Sequence, residues 1–249
     1  MSKDLFSNQA ATYAKYRPQY PPELFEYILP LVNERNLAWD CATGNGQAAV
    51  ALSNYFKQVF GTGSSEKQIA QAVLLPNIEY SVSKAEQTVF EDNSFDLVTV
   101  AQAYHWLNAS AFNQKVKRVA KPGAIIAIWG YNTPMTRNEE MNEQIRYLYK
   151  QVVGSYWDKD RIYVEEEYKT VDFDFHELPA RHFSMEVKWK IEHLAGYLKS
   201  WSRVQHFIEA RGHNPVDAFL LRLMGYWPEE KEILFQFPIF LRLGRINRD

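Results

Sequence analysis

The residues best placed to do chemistry sit in one short stretch, Asp40-Cys41-Ala42-Thr43-Gly44-Asn45-Gly46-Gln47. An acid stands before a turn of small residues, and Ala49, Leu52 and Phe56 follow at helical spacing, so the turn joins a strand to a helix. Gly44 and Gly46 permit tight backbone torsions and close approach of a ligand to the main chain. The helix start beyond them leaves N–H groups without intrahelical partners, which are donors for a polar cofactor. Asp40 repels a pyrophosphate and attracts a cationic group, so the turn suits S-adenosyl-L-methionine better than a dinucleotide. A second group, Gln102, His105 and Trp106, follows the apolar run Phe95 to Val100 and supplies an amide, a titratable imidazole and an aromatic wall.

The elements that must position these groups alternate along the chain. Strands are expected at Leu37 to Trp39, Gln58 to Thr62, Ile78 to Val82, Phe95 to Val100 and Ala124 to Trp129. Helices fall between them: Leu24 to Val32, the one after the glycine turn, one capped by Ser65-Glu66-Lys67-Gln68, and one carrying Phe112, Val116 and Val119 before Lys121-Pro122-Gly123. Such alternation predicts a parallel sheet with helices on both faces, and ligands beyond the C-terminal strand ends. The glycine turn, the Gly61 to Ser65 loop and the Ala101 to Trp106 loop then share one edge.

From Asn132 to about Ala180 the alternation stops; Thr136 to Val152 reads as helix and Tyr156 to His176 is mixed, acidic and aromatic. Phe183, Met185, Val187 and Trp189 alternate as a strand, Ile191, Leu194 and Leu198 mark a helix, and Pro238 to Leu243 reads as a last strand. Pro238 lacks an N–H, which places it at that strand's start. The expected fold is an α/β, Rossmann-like, doubly wound, mostly parallel seven-stranded sheet with an inserted, mainly helical cap. It forms one domain over 1–249: a lid over 1–23, a cofactor-binding core over 24–131, the cap over 132–180, and C-terminal strands and helices over 181–249.

Composition bounds the function. The 249 residues are 46% hydrophobic and 15% aromatic, enough for a large core, and the formal net charge of −2 gives no basic field for nucleic acid or an anionic membrane. The single Cys41 forms no internal disulfide, the N-terminus lacks the apolar core of a signal peptide, and no apolar run is long enough to span a membrane. These features lead us to expect a soluble cytoplasmic protein, and no metal-ligand constellation stands out.

The motifs together resemble the class I S-adenosylmethionine-dependent methyltransferases, and within them the small-molecule branch of trans-aconitate methyltransferase-like proteins. Asp40-Cys41-Ala42-Thr43-Gly44-Asn45-Gly46 is similar to that family's acid-x-Gly-x-Gly-x-Gly loop, with Ala42 in place of the first Gly. Phe95-Asp96-Leu97-Val98 with Ala101-Gln102-Ala103-Tyr104-His105-Trp106 resembles its fourth strand and loop, and Arg118-Val119-Ala120-Lys121-Pro122-Gly123-Ala124 its Arg-Val-Leu-Lys-Pro-Gly-Gly turn. Tyr16-Arg17-Pro18-Gln19-Tyr20-Pro21 and Ser200-Trp201-Ser202 are similar to the branch as well.

The resemblance implies that Asp40, Ala42, Gly44, Gly46, Gln47, Gly63, Ser64, Ser65, Ala101 and Gln102 border the cofactor. It also places Ala85 and Glu86 near adenine and makes Tyr13, Tyr16 and Arg17 a lid. Trp106, Tyr131, Trp201 and Arg203 would line the pocket of a small-molecule methyl acceptor. A carboxylate acceptor needs no base and would be held by Arg17 or Arg203, whereas a phenol or amine would use His105 as its base. One position departs from the family: where its second strand ends in an acid that bridges the ribose hydroxyls, this chain has Gly63. That departure supports a noncatalytic binding module as an alternative. Gly44-x-Gly46-x-x-Ala49 leaves a nicotinamide-dependent oxidoreductase as another.

Overall fold

The computed structural model describes residues 16–156, 158–227 and 231–247. Eight strands form one sheet: β1 (Leu37–Cys41), β2 (Gln58–Gly63), β3 (Ile78–Val82), β4 (Phe95–Ala101), β5 (Ala120–Tyr131), β6 (His176–Leu178), β7 (Phe183–Trp189) and β8 (Ile233–Arg245). Their order is β3-β2-β1-β4-β5-β8-β6, and β7 also pairs with β8. The first five strands are parallel, whereas β8 runs antiparallel between β5 and the β6–β7 edge. The direction of winding reverses between β1 and β4, so a crevice opens at their C-terminal ends.

Side-chain alternation divides the core. On one face Ala38, Leu97, Ile125, Ala127 and Trp129 pack with α1 (Pro22–Ile28) and α2 (Gln47–Ser53). On the other, Trp39, Cys41, Val98, Val100, Ile126 and Ile128 pack with α4 (Ala109–Val119) through Phe112, Val116 and Val119. Between β2 and β3 lies the single turn α3 (Glu66–Ile69), capped as expected by Ser65, whose hydroxyl accepts the Gln68 N–H at 3.3 Å. At the sheet end opposite the crevice, Asp96 accepts the N–H groups of Asn36 and Leu37 at 2.8 and 2.9 Å and receives Lys121 Nζ at 2.6 Å. The acid of the Phe-Asp-Leu-Val run therefore fixes the start of β1 against β4.

The outer strand is broken into β6 and β7 by Pro179-Ala180-Arg181-His182, where Pro179 cannot donate to the ladder. The sheet thus keeps the seven expected positions, the outermost split in two. Two expectations need correction. Pro238 lies inside β8, opposite Ser184. Its carbonyl accepts the Asn132 N–H at 3.1 Å just after β5 has ended at Tyr131, so its missing N–H falls where the β5 ladder stops. Lys121-Pro122-Gly123 does not terminate α4 but forms an irregularity at the start of β5, with Gly123 at φ +81°.

The helical cap draws on two stretches of chain. The insertion supplies α5 (Glu139–Tyr147), a π-helical turn at Leu148–Val152 and α6 (Arg161–Glu165). The segment between β7 and β8 supplies α7 (Ile191–Lys199), α8 (Ser202–Arg211) and α9 (Pro215–Leu223). Met141, Ile145 and Leu148 share one apolar cluster with Leu194, Leu198, Val204, Val216 and Leu223, which locks the two stretches together.

Candidate functional site

The turn after β1 is built around its acid. Asp40 is fully buried; its carboxylate accepts the hydroxyls of Thr43 at 2.5 Å and Thr99 at 2.9 Å, tying the turn to β4. Burial raises its pKa to about 6, the largest influence, against the lowering effect of the Thr43 and Thr99 hydroxyls and the Ala49 N–H. Ala42, Gly44 and Gly46 all take positive φ, at +56°, +59° and +84°. Ala42 thus adopts the torsion that suits the glycine it replaces, and Thr43 donates its N–H to Thr62 at 2.8 Å, joining the turn to β2.

The two glycines serve different ends. A Cβ on Gly46 would come 2.3 Å from Tyr80 Oη, because the Tyr80 ring packs beneath the turn. A Cβ on Gly44 would meet nothing within 4 Å, so its backbone is open to a ligand. Gly63, at the end of β2, adjoins the same turn: its Cβ would stand 3.8 Å from the Gly44 nitrogen and 3.7 Å from Ile69. Ser64 is exposed beside it and Ser65 is occupied as the cap of α3, while Gln47 opens α2. Ala85 and Glu86 form a short turn after β3, and the Glu86 carboxylate accepts the Asn108 N–H at 3.0 Å. These groups bring an open backbone, a buried carboxylate and a short acidic loop to one sheet edge, which fits a cofactor that is cationic at one end and a nucleoside at the other. Gly63 contributes no carboxylate to that set.

Next to this edge is a cavity of about 70 Å³ between the ends of β4 and β5 and the cap. Ala101 ends β4 and Gln102 follows it at φ +54°. Its side-chain amide donates to the Tyr131 carbonyl at 3.0 Å and accepts the Tyr131 N–H at 2.6 Å, extending the ladder where the strands diverge. The start of the described chain, expected to belong to a lid, packs here. The Tyr16 ring lies so close to Gly196 that a Cβ there would be 2.6 Å from it, and Arg17 donates to the Tyr131 hydroxyl at 2.7 Å. Arg17 also donates to the Ser200 carbonyl at 3.5 Å and lies over the Tyr197 ring at 5.0 Å. Tyr13 lies outside the described residues.

His105 and Trp106 form the opposite wall, in a single turn after β4. His105 is buried, with Nδ1 2.9 Å from the Tyr168 hydroxyl. Burial, then the charge of Arg161, lowers its pKa to about 3, so the imidazole is neutral throughout the physiological range. Tyr131 and Trp201 line the cavity as well. Arg203 does not: it is wholly buried behind the wall, donating to the Tyr149 carbonyl and stacking 4.3 Å from that ring. The second cation on the wall is Arg161, whose Nε donates to the Tyr149 hydroxyl at 3.1 Å while that hydroxyl donates to Glu165 at 2.7 Å.

Sequence reasoning did not find Arg161, Asp158, Tyr149, Tyr197 or Tyr168. The segments that carry them have no motif, and only packing of the cap brings them to the strand ends. Thr43 and Thr99 were legible in principle, as hydroxyls one turn and one neighbouring strand from the buried acid. Among the described residues no cluster of metal-ligating side chains occurs, and no helix is long and apolar enough to cross a membrane.

Comparison with known proteins agrees with this geometry. Residues 39–128 match the family described as "Methyltransferase domain". A Dictyostelium discoideum protein that carries the name methyltransferase is 31% identical over 97% of this chain and 95% of its own length. A solved structure from Anaeromyxobacter dehalogenans, described as a type II methyltransferase, superposes with a TM-score of 0.86 at 33% identity, covering 94% of this chain and all of that one. A Saccharomyces cerevisiae protein whose name specifies an S-adenosylmethionine-dependent methyltransferase is 28% identical over 59% of this chain and 55% of its own. The near full-length similarity and the common fold place this chain in the class I S-adenosylmethionine-dependent methyltransferase family.

Proposed function

We propose that this protein transfers the methyl group of S-adenosylmethionine to a carboxylate oxygen of a small organic acid. The observation that carries the reading is the pair of guanidinium groups, Arg17 and Arg161, on an aromatic-walled cavity at the C-terminal ends of β4 and β5. Asp40, Ala42, Gly44, Gly46 and Gln47 would hold the methionine end, Gly63 to Ser65 the ribose side, and Ala85 and Glu86 the adenine side, with Ala101 and Gln102 between cofactor and acceptor. The bound sulfonium supplies an already activated methyl group, so the chain has only to align a nucleophile and exclude water.

Arg17 and Arg161 favour a negatively charged acceptor, since guanidinium groups bind carboxylates through paired, charge-assisted hydrogen bonds. Trp106, Tyr131, Tyr197 and Trp201 supply flat apolar walls that limit water. A carboxylate is ionised at neutral pH and needs no proton removed, which suits a site whose only histidine is held against protonation. Tyr168 fixes that ring, so His105 acts here as a wall and a hydrogen-bonding group. The test is calorimetric titration with S-adenosylmethionine, S-adenosylhomocysteine and NAD, followed by mass spectrometry for methyl esters across a panel of small carboxylic acids. Binding of the first two alone, with ester formation, supports the reading; cofactor binding without transfer to any acid would overturn the carboxylate assignment.

Gly63 favours a second reading, a noncatalytic binding protein. Without a carboxylate at the end of β2, the ribose hydroxyls lose charge-assisted bonds worth roughly 1.5–3 kcal/mol each before water replaces them. Absence of binding to either sulfur compound would select this reading.

A further inference from the structure

One charged group on the cavity wall has no role in holding a plain carboxylate. Asp158 lines the cavity, and its Oδ2 is buried without a hydrogen-bond partner among the described residues. Its backbone carbonyl is used, accepting the Arg161 N–H at 3.0 Å in the turn that starts α6. Asp158 and Arg161 therefore stand three residues apart on one turn, an acceptor beside a cation. The Arg161 Nε donates to the Tyr149 hydroxyl, which in turn donates to Glu165, and so does not satisfy Asp158 Oδ2. A carboxylate oxygen withdrawn from water with no donor is unfavourable, and a bound molecule that supplies an O–H or N–H relieves it.

The charges on the wall narrow the choice. On the wall itself two cations, Arg17 and Arg161, stand with one anion, Asp158, and behind it Arg203 is set against Glu165, which leaves a single net positive charge. An acid monoanion with a neutral hydroxyl balances that charge. A zwitterionic amino acid leaves it unbalanced, and a plain acid leaves Asp158 Oδ2 without a donor. We propose that the acceptor is a hydroxyl-bearing carboxylic acid, its carboxylate on Arg17 and Arg161 and its hydroxyl donating to Asp158. Asp158 is then the residue that separates hydroxy acids from their deoxy counterparts. This inference rests on the carboxylate reading of the same cavity.

The test uses matched small acids that differ only by a hydroxyl, together with the corresponding amino acids. Each is titrated into the full-length protein with and without S-adenosylhomocysteine, for the wild type, Asp158→Ala and Asp158→Asn. The expected result is a preference of about tenfold or more for the hydroxy acid in the wild type, as for a hydrogen bond to a charged group. Asp158→Ala should abolish that preference, with the hydroxy acid losing its advantage over the deoxy acid, and Asp158→Asn, which keeps an oxygen acceptor, should restore part of it. No preference in the wild type, equal weakening of both acids by Asp158→Ala, or tighter binding of the amino acid would overturn the proposal. Binding of no acid at all would overturn both it and the carboxylate reading. Transfer to the hydroxyl, giving an ether, would refute the ester chemistry while supporting the Asp158 contact.

Discussion

Replacing Asp40 with Asn should make this protein more stable at neutral and alkaline pH while removing cofactor binding. The carboxylate is fully buried, and among the described residues its side-chain partners are the hydroxyls of Thr43 and Thr99. An Asn keeps both contacts, since its oxygen accepts from Thr99 and its amide donates to the Thr43 oxygen once that hydroxyl rotates. What it removes is the burial of a charge. The folded pKa is about 6 against an ordinary value of 3.8, so the folded state holds this proton more tightly than the unfolded chain does. Between those two values the unfolded state is ionised while the folded state is not, and stability falls as pH rises; above the upper value the full cost is present.

A shift of about two pK units corresponds to about 3 kcal/mol. For a chain of this size that is roughly 6–12 °C in Tm. Thermal unfolding of wild type and Asp40→Asn, followed by circular dichroism from about pH 4 to pH 8, should show the variant's advantage grow across that window and vanish at its acid end. Calorimetry on the same samples should show S-adenosylmethionine binding lost, the stability–function trade-off of a strained site. A variant less stable than wild type at about pH 8, or an offset independent of pH, would refute this reasoning, because burial of charge would then not dominate the Asp40 environment.

Gly44→Asp should abolish S-adenosylmethionine binding at a cost to the fold of about 1–2 kcal/mol, since its Cβ has open space but its φ is positive; unchanged affinity in calorimetry would remove the turn from the site. Gly63→Asp should tighten S-adenosylhomocysteine binding by about tenfold or more, because its Cβ meets only ordinary contacts near the Gly44 nitrogen. An unaltered dissociation constant would mean that the ribose does not pass Gly63. With the His105 pKa lowered to about 3, the pH–rate profile should carry no inflection from this residue between about pH 5 and 8. A histidine inflection present in the wild type and lost in His105→Gln would contradict that.

Much of the parallel core was legible because its elements are specified locally. Phe95 to Val100 reads as a buried strand from its run of apolar and β-branched residues, and Ser65-Glu66-Lys67-Gln68 announces a helix start through its own hydrogen-bonding groups. The strand His176–Leu178 was missed because two of its three residues are exposed, so no alternation marks it. Pro238 misled for a related reason: a missing N–H excludes a central ladder position only if a neighbour needs that donor, and β5 ends one residue earlier.

The sequence by itself determined the local elements of the edge proposed for the cofactor. A turn of small residues with positive φ after an apolar strand is a local arrangement, and so are a capped helix and an apolar run. Parallel winding then brings their ends to one edge. Only the tertiary structure decided what lines the cavity proposed for the acceptor. Arg161 and Asp158 reach it from a motif-free insertion, and Arg17 docks on Tyr131 across 114 residues of sequence. Arg203, which sequence placed at the acceptor, is instead sealed behind Tyr149. Backbone conformation follows from neighbouring residues, whereas the direction in which a long charged side chain points depends on which surfaces pack around it, and packing of the two cap stretches sets those surfaces.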